Sequence, residues 1–181
     1  MKKYDIKRHL QDYSIFNKRK TTINHAFASS LSIADNFEEE KMNAAIRILG
    51  QDPDSELKCA YCDKLAETWD HIKAVVQDSE FSGHGHQINN LIPCCKDCNS
   101  KKGNKDWAIF LKQKNLDTPE RIDRIKKYIS QGTSDLLKIL NEHCKDELNE
   151  LTTIKRQVLD LLKSGDEKAK IIRDKIRKLN V

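Results

Sequence analysis

A chain of 181 residues suits one domain, or a small one with helical extensions. With 34% charged, 38% hydrophobic and only 6% aromatic residues, it reads as helix-rich with a modest core. It carries no apolar run near the roughly 18 residues needed to span a bilayer, which excludes a membrane-embedded class.

The net charge of +5 hides an asymmetry. Residues 1–20 carry +5, residues 21–100 carry −7 and residues 101–181 carry +7. An acidic middle between two basic flanks suits cation binding at the centre and contact with a polyanion at the edges. For the C-terminal tail alone, a Lys-rich helix with a solvated face explains the charge as well. The opening "MKKYDIKRHL" lacks the apolar stretch of a secretory signal, so a cytoplasmic location is expected. Six cysteines in that setting read as metal ligands and spare thiols rather than disulfides.

Three parts are expected: a helical segment over 1–56, a cysteine-bearing unit over 57–111 and a helical region over 112–181. In the first, "FEEEKMNAAIRILG" spaces Phe37, Met42, Ala45, Ile46 and Leu49 as a helix that stops at Gly50. "QDPDSE" is a turn-rich connector. In the second part, "ETWDHIKAVV" reads as a strand, "QDSEFSGHGHQ" as a Gly-rich loop and "NNLIPC" as a short return strand. A helix over 96–102 then ends near Gly103.

Helical sequence resumes at "DWAIFLKQKN", with Asp106 as N-cap, and after "LDTPE", where Pro119 suits a first turn. From Ser134 one long helix is expected, with Leu137, Leu140, Cys144, Leu151, Ile154, Val158 and Leu161 along its seam and Glu147 interrupting it. "SGD" at 164–166 should end it, before a last short basic helix. The long helix either packs on the N-terminal helices or pairs with its copy in a homodimer; about four heptads favour the first.

The chemistry lies in the middle part. Cys59–Cys62 and Cys95–Cys98 are two C-x-x-C pairs, the ligand set of a closed tetrahedral Zn²⁺ site. Thirty-two residues separate Cys62 from Cys95, so a hairpin must be inserted between the knuckles. Such a hairpin has too little apolar surface to fold alone, and zinc would supply much of its stability. Cys94 and Cys144 are expected in the core, as are Trp69 and Trp107.

The order C-x-x-C, Asp70-His71, Asn90-Leu91, C-x-x-C-Asn99 resembles the HNH endonucleases of the ββα-metal class. The resemblance covers residues 57–103 and extends loosely to small bacterial HNH proteins and HNH-type restriction enzymes. It implies an α+β, mostly helical chain: a ββα-metal core with a four-cysteine zinc site, flanked by N- and C-terminal helices. It also implies that His71 is the general base, that Asp70 and Asn99 hold a divalent cation, and that Asn90 braces the loop. Asn89 could fill the same register, but Asn90 directly precedes Leu91.

A histidine titrating near neutrality suits proton removal from water. An oxygen-only ligand pair favours Mg²⁺ or Mn²⁺ over softer metals. Asp70 and His71 are adjacent, so on a regular strand they would face opposite sides. Lys101 and Lys102 are candidate phosphate contacts, though helix-end lysines equally serve the helix dipole; His84 and His86 are candidates for phosphate or a second metal, though loop histidines more often are simply solvated.

The reading is a metal-dependent endonuclease acting on double-stranded DNA, leaving 5′-phosphate and 3′-hydroxyl ends, with a role in restriction or phage defence. A non-catalytic zinc module that binds nucleic acid or protein is the alternative, and an RNA-directed nuclease is a third reading.

Overall fold

The computed structural model describes residues 2–132 and 136–179. The chain forms two compact units, one of residues 1–26 with 146–181, the other of residues 27–145. In chain order, a 3-10 turn at Lys3–Arg8 precedes helices α1 (Ile15–Ser30) and α2 (Glu39–Ile48). Strands β1 (Thr68–His71), β2 (Val76–Gln77) and β3 (Glu80–Phe81) follow, then a 3-10 turn at Ile88–Asn90 and strand β4 (Leu91–Cys94). Helices α3 (Lys96–Lys102), α4 (Trp107–Gln113), α5 (Pro119–Ser130), α6 (Leu136–His143) and α7 (Lys145–Lys178) complete the described chain. None of these helices is long and apolar enough to cross a membrane.

The larger unit is built around a ββα element. β1 and β4 are antiparallel, with Asp70 opposite Ile92 and His71 opposite Leu91. α3 starts two residues after β4 and packs on β1. The fold is therefore α+β and mostly helical, as the sequence predicts. Behind this element lies one apolar cluster in which Ile46, Ile92, Phe110, Leu111 and Tyr128 are fully buried. Each such side chain contributes about 1.5–3 kcal/mol of burial. Tyr61 meets Phe110 edge to face at 5.5 Å.

The caps explain where the helices begin. Asp106 accepts from the backbone N–H groups of Ala108 and Ile109, and Thr118 caps α5 just before Pro119. α2 gives way at Leu49 to Gly50, whose φ of +73° only glycine adopts without strain.

β1 is shorter than the run "ETWDHIKAVV" suggests. The side chain of Asn90 takes both the N–H and the carbonyl of Lys73, at 2.9 and 3.0 Å, so the ladder ends at His71. The Gly-rich loop is not wholly irregular: β2 and β3 form a small hairpin whose central residues, Asp78 and Ser79, both have positive φ, as a two-residue type I′ turn requires. Trp107 is buried, but Trp69 is 43% exposed, because Asp70 holds the inward position on β1 and alternation turns Trp69 outward. Cys94 is buried, whereas Cys144 is only half-buried.

The expected single helix from Ser134 to Lys163 is two helices. Ser134 and Asp135 lie outside the described residues; α6 ends at His143, and α7 begins at Lys145 with Asp146 and Glu147 in its first turn. Glu147 thus sits where a helix favours an acid rather than interrupting a seam. The stop expected at Ser164-Gly165-Asp166 is absent, and α7 runs through it. A β-carbon at Gly165 would meet Ile15 Cδ1 at 3.4 Å, an ordinary van der Waals contact. Asp166 accepts from Ser14 Oγ and from the N–H groups of Ile15 and Phe16, capping α1 from the side.

Candidate active site and metal centre

Each knuckle is a backbone turn closed on a cysteine. In the first, Cys62 and Asp63 donate their N–H groups to the Cys59 carbonyl, and Asp63 takes a φ of +62°. In the second, Cys95 is the N-cap of α3, its sulfur accepting from Cys98 N–H. The four sulfurs of Cys59, Cys62, Cys95 and Cys98 lie within 4.8 Å of one another, with Cys62 and Cys95 at 3.7 Å. Tetrahedral zinc with roughly 2.3 Å bonds sets its sulfurs about 3.8 Å apart, so the cluster fits that ion. Burial pushes the Cys62 and Cys98 thiols up, and a dication would offset that cost. Cys94 stands beside the cluster, its Sγ 3.9 Å from Cys59 Sγ, and this contact helps hold Cys59 down to about 4.

Asp70 is buried against β1's inner neighbours. Its Oδ2 accepts from Tyr61 O–H at 2.8 Å and pairs with Lys102 Nζ at 3.1 Å. The Lys102 side chain is fully buried and also donates to the His71 carbonyl at 2.7 Å. Burial raises the Asp70 carboxyl even though Lys102 and Tyr61 oppose the rise. Oδ1 of Asp70 has no partner among the described residues. Asn99, on the α3 face that meets β1, donates through Nδ2 to Thr68 Oγ1 and the Trp69 carbonyl, both at 3.4 Å. Its Oδ1 is likewise unclaimed among the described residues. Two hard oxygen donors on contacting elements fit Mg²⁺ or Mn²⁺.

His71, the last residue of β1, is half-buried. Its Nε2 lies 2.9 Å from Nδ1 of His86, with ring centroids 5.0 Å apart. Burial, then His86 and Lys102, hold this imidazole below its ordinary value, which keeps it neutral and proton-accepting near pH 7.

Asn90 also donates to the Gly85 carbonyl at 3.0 Å, so one amide ties the segment after His71 to the histidine loop. Asn89 points elsewhere, donating to the Tyr128 carbonyl on α5. Lys101 is exposed and paired with Asp97. Lys102, expected at the surface as a phosphate contact, is instead turned inward onto Asp70. Immediately after His71, Ile72 and Lys73 line a cleft of about 230 Å³ with His84 and Lys105.

The structure therefore brings Asp70, Asn99 and Lys102 to the β1–α3 contact and sets His71 and His86 together outside it. Nothing in "CAYC" marks Tyr61 as a carboxylate partner. Lys102 carried a usable signal: it lies three residues after Asn99, on the same helix face.

Residues 59–105 match the family model of the HNH endonucleases. The matched stretch holds both knuckles, Asp70-His71, Asn90 and Asn99, so this segment is similar to the HNH endonucleases. No curated protein and no solved structure matches the chain.

Proposed function

We propose that the HNH unit is a metal-dependent DNA endonuclease in which His71 is the general base and Asp70 and Asn99 hold Mg²⁺ or Mn²⁺. The observation that supports this most is the pair of unclaimed oxygen donors, on Asp70 and Asn99, at the contact of β1 with α3, next to the strand position of His71. A divalent cation held there supplies positive charge against the charge that develops on the phosphate.

His71 removes the proton of the attacking water. Asn90 fixes the backbone that carries His71, and Lys102 balances the buried charge of Asp70. Cys59, Cys62, Cys95 and Cys98 would hold zinc in a structural role. Lys73 and Lys105, with His84, suit the phosphates flanking the cut. Trp69, exposed and one strand position from Asp70, offers a ring on which a base can stack. Products with 5′-phosphate and 3′-hydroxyl ends are part of the proposal, as is double-stranded DNA as substrate. A role in restriction or phage defence rests on the small size of the chain.

The test is a supercoiled-plasmid assay with Mg²⁺ or Mn²⁺. Wild type should nick and His71→Ala should not. If neither cuts any DNA offered while zinc is bound, the alternative of a passive zinc module takes over.

A further inference from the structure

We infer that His86 is a positioning residue for His71: its Nδ1 accepts the proton on His71 Nε2, which leaves Nδ1 of His71 as the lone pair that takes a proton from water. The inference rests on the reading of His71 as general base. Two ring nitrogens 2.9 Å apart need one N–H and one lone pair between them. The rings are tilted by 59° rather than stacked, so the contact is a hydrogen bond between ring edges. Among the described residues nothing accepts from His71 Nδ1, so with the shared proton on His71 Nε2 that nitrogen is left as a lone pair open to water.

The loop around His86 is built to hold this contact. His86 N–H donates to the Ile33 carbonyl at 2.9 Å, and its carbonyl accepts from Asp35 N–H at 3.2 Å. The Asp35 carboxylate in turn accepts from Ile88 N–H at 2.9 Å. Gly85 lies so close to the Ile33 backbone that a β-carbon would collide with the Ile33 carbonyl oxygen. Asn90 binds Lys73, two residues after His71, and Gly85, one residue before His86. One side chain thus spans the two histidines' backbones. An exposed loop histidine with no task would not need its backbone tied on both sides.

In the reaction the water O–H bond breaks and a bond to His71 Nδ1 forms. The resulting imidazolium keeps donating from Nε2 to Nδ1 of His86, and the proton leaves from Nδ1 to solvent.

The experiment has two readouts on the full chain. Ring ¹⁵N shifts of wild type should show His71 protonated at Nε2 alone, and His86→Leu should turn it into a mixture of tautomers. In plasmid nicking, His86→Leu should lower kcat at least about tenfold, part of what a positioned base contributes, with KM within about twofold. His86→Asn, whose Oδ1 falls near the position of Nδ1, should recover most of the rate. His86→Leu that cuts like wild type, or that raises only KM, overturns the positioning role and leaves the nuclease reading intact. Wild type that cuts nothing overturns the nuclease reading, and this role with it.

Discussion

Asp70 and His71 are neighbours at the end of one strand and keep different partners. Asp70 is drawn inward by Tyr61 and Lys102, while His71 stays outside with His86. At this scale the amide of Asn99 is the sharpest test. Asn99→Ala should reduce cleavage about 10²- to 10³-fold, the usual result of losing one element of transition-state charge stabilisation. Asn99→Asp, which keeps an oxygen donor, should retain measurable nicking; equal rates in the two variants would remove Asn99 from the ligand set. Trp69 can be tested independently. Because it is 43% exposed, Trp69→Ala should leave the melting temperature nearly unchanged yet weaken binding of a short duplex several-fold, read by fluorescence anisotropy.

The element that carries the site is α3 lying on β1, and its stability rests on a buried ion pair and a sulfur cluster. Removing one partner of a buried pair leaves the other charge uncompensated. Lys102→Met should therefore cost about 3–5 kcal/mol in urea unfolding, and the double variant Lys102→Met with Asp70→Asn should be more stable than Lys102→Met alone. Cys59→Ser should release zinc, measured by metal analysis, and lower the melting temperature by at least about 5 °C, given that each kcal/mol moves a chain of this size about 2–4 °C. Unchanged zinc content would exclude Cys59 as a ligand.

Much of this element was legible from residue spacing. The two C-x-x-C pairs, the return strand "NNLIPC" and the helix to Gly103 all lie where local chemistry puts them. What escaped the sequence reading was set by tertiary partners. The end of β1 depends on Asn90 reaching back to Lys73, the inward turn of Lys102 on the position of Asp70, and the exposure of Trp69 on which strand face Asp70 occupied. Periodicity cannot report such competition.

For the whole molecule, the two units should respond to different insults. In the smaller one, Asp166 is held below its ordinary carboxylate value by Ser14, then by the N–H groups of Ile15 and Phe16. Asp12 is lowered by Arg177 first, then by Arg173. For an acid lowered in the fold, the stabilisation is complete above the unfolded value of 3.8 and is lost as pH falls below it. Helicity followed by circular dichroism should therefore fall on acidification below that value, and Asp166→Ala should flatten the dependence. Chelation at neutral pH should instead disrupt the cysteine-bearing unit, and hydrogen exchange should show α7 amides staying protected there. The signals "SGD" and Glu147 misled at this scale. The glycine expected to stop the helix lies inside α7, and the acid expected to interrupt a seam sits in its first turn.

The ammonium of Lys102, sealed against the carboxylate of Asp70, gives the hairpin a counter-ion of its own. The chain itself then balances the buried charge of Asp70, and folding of the hairpin needs no dication at that carboxylate.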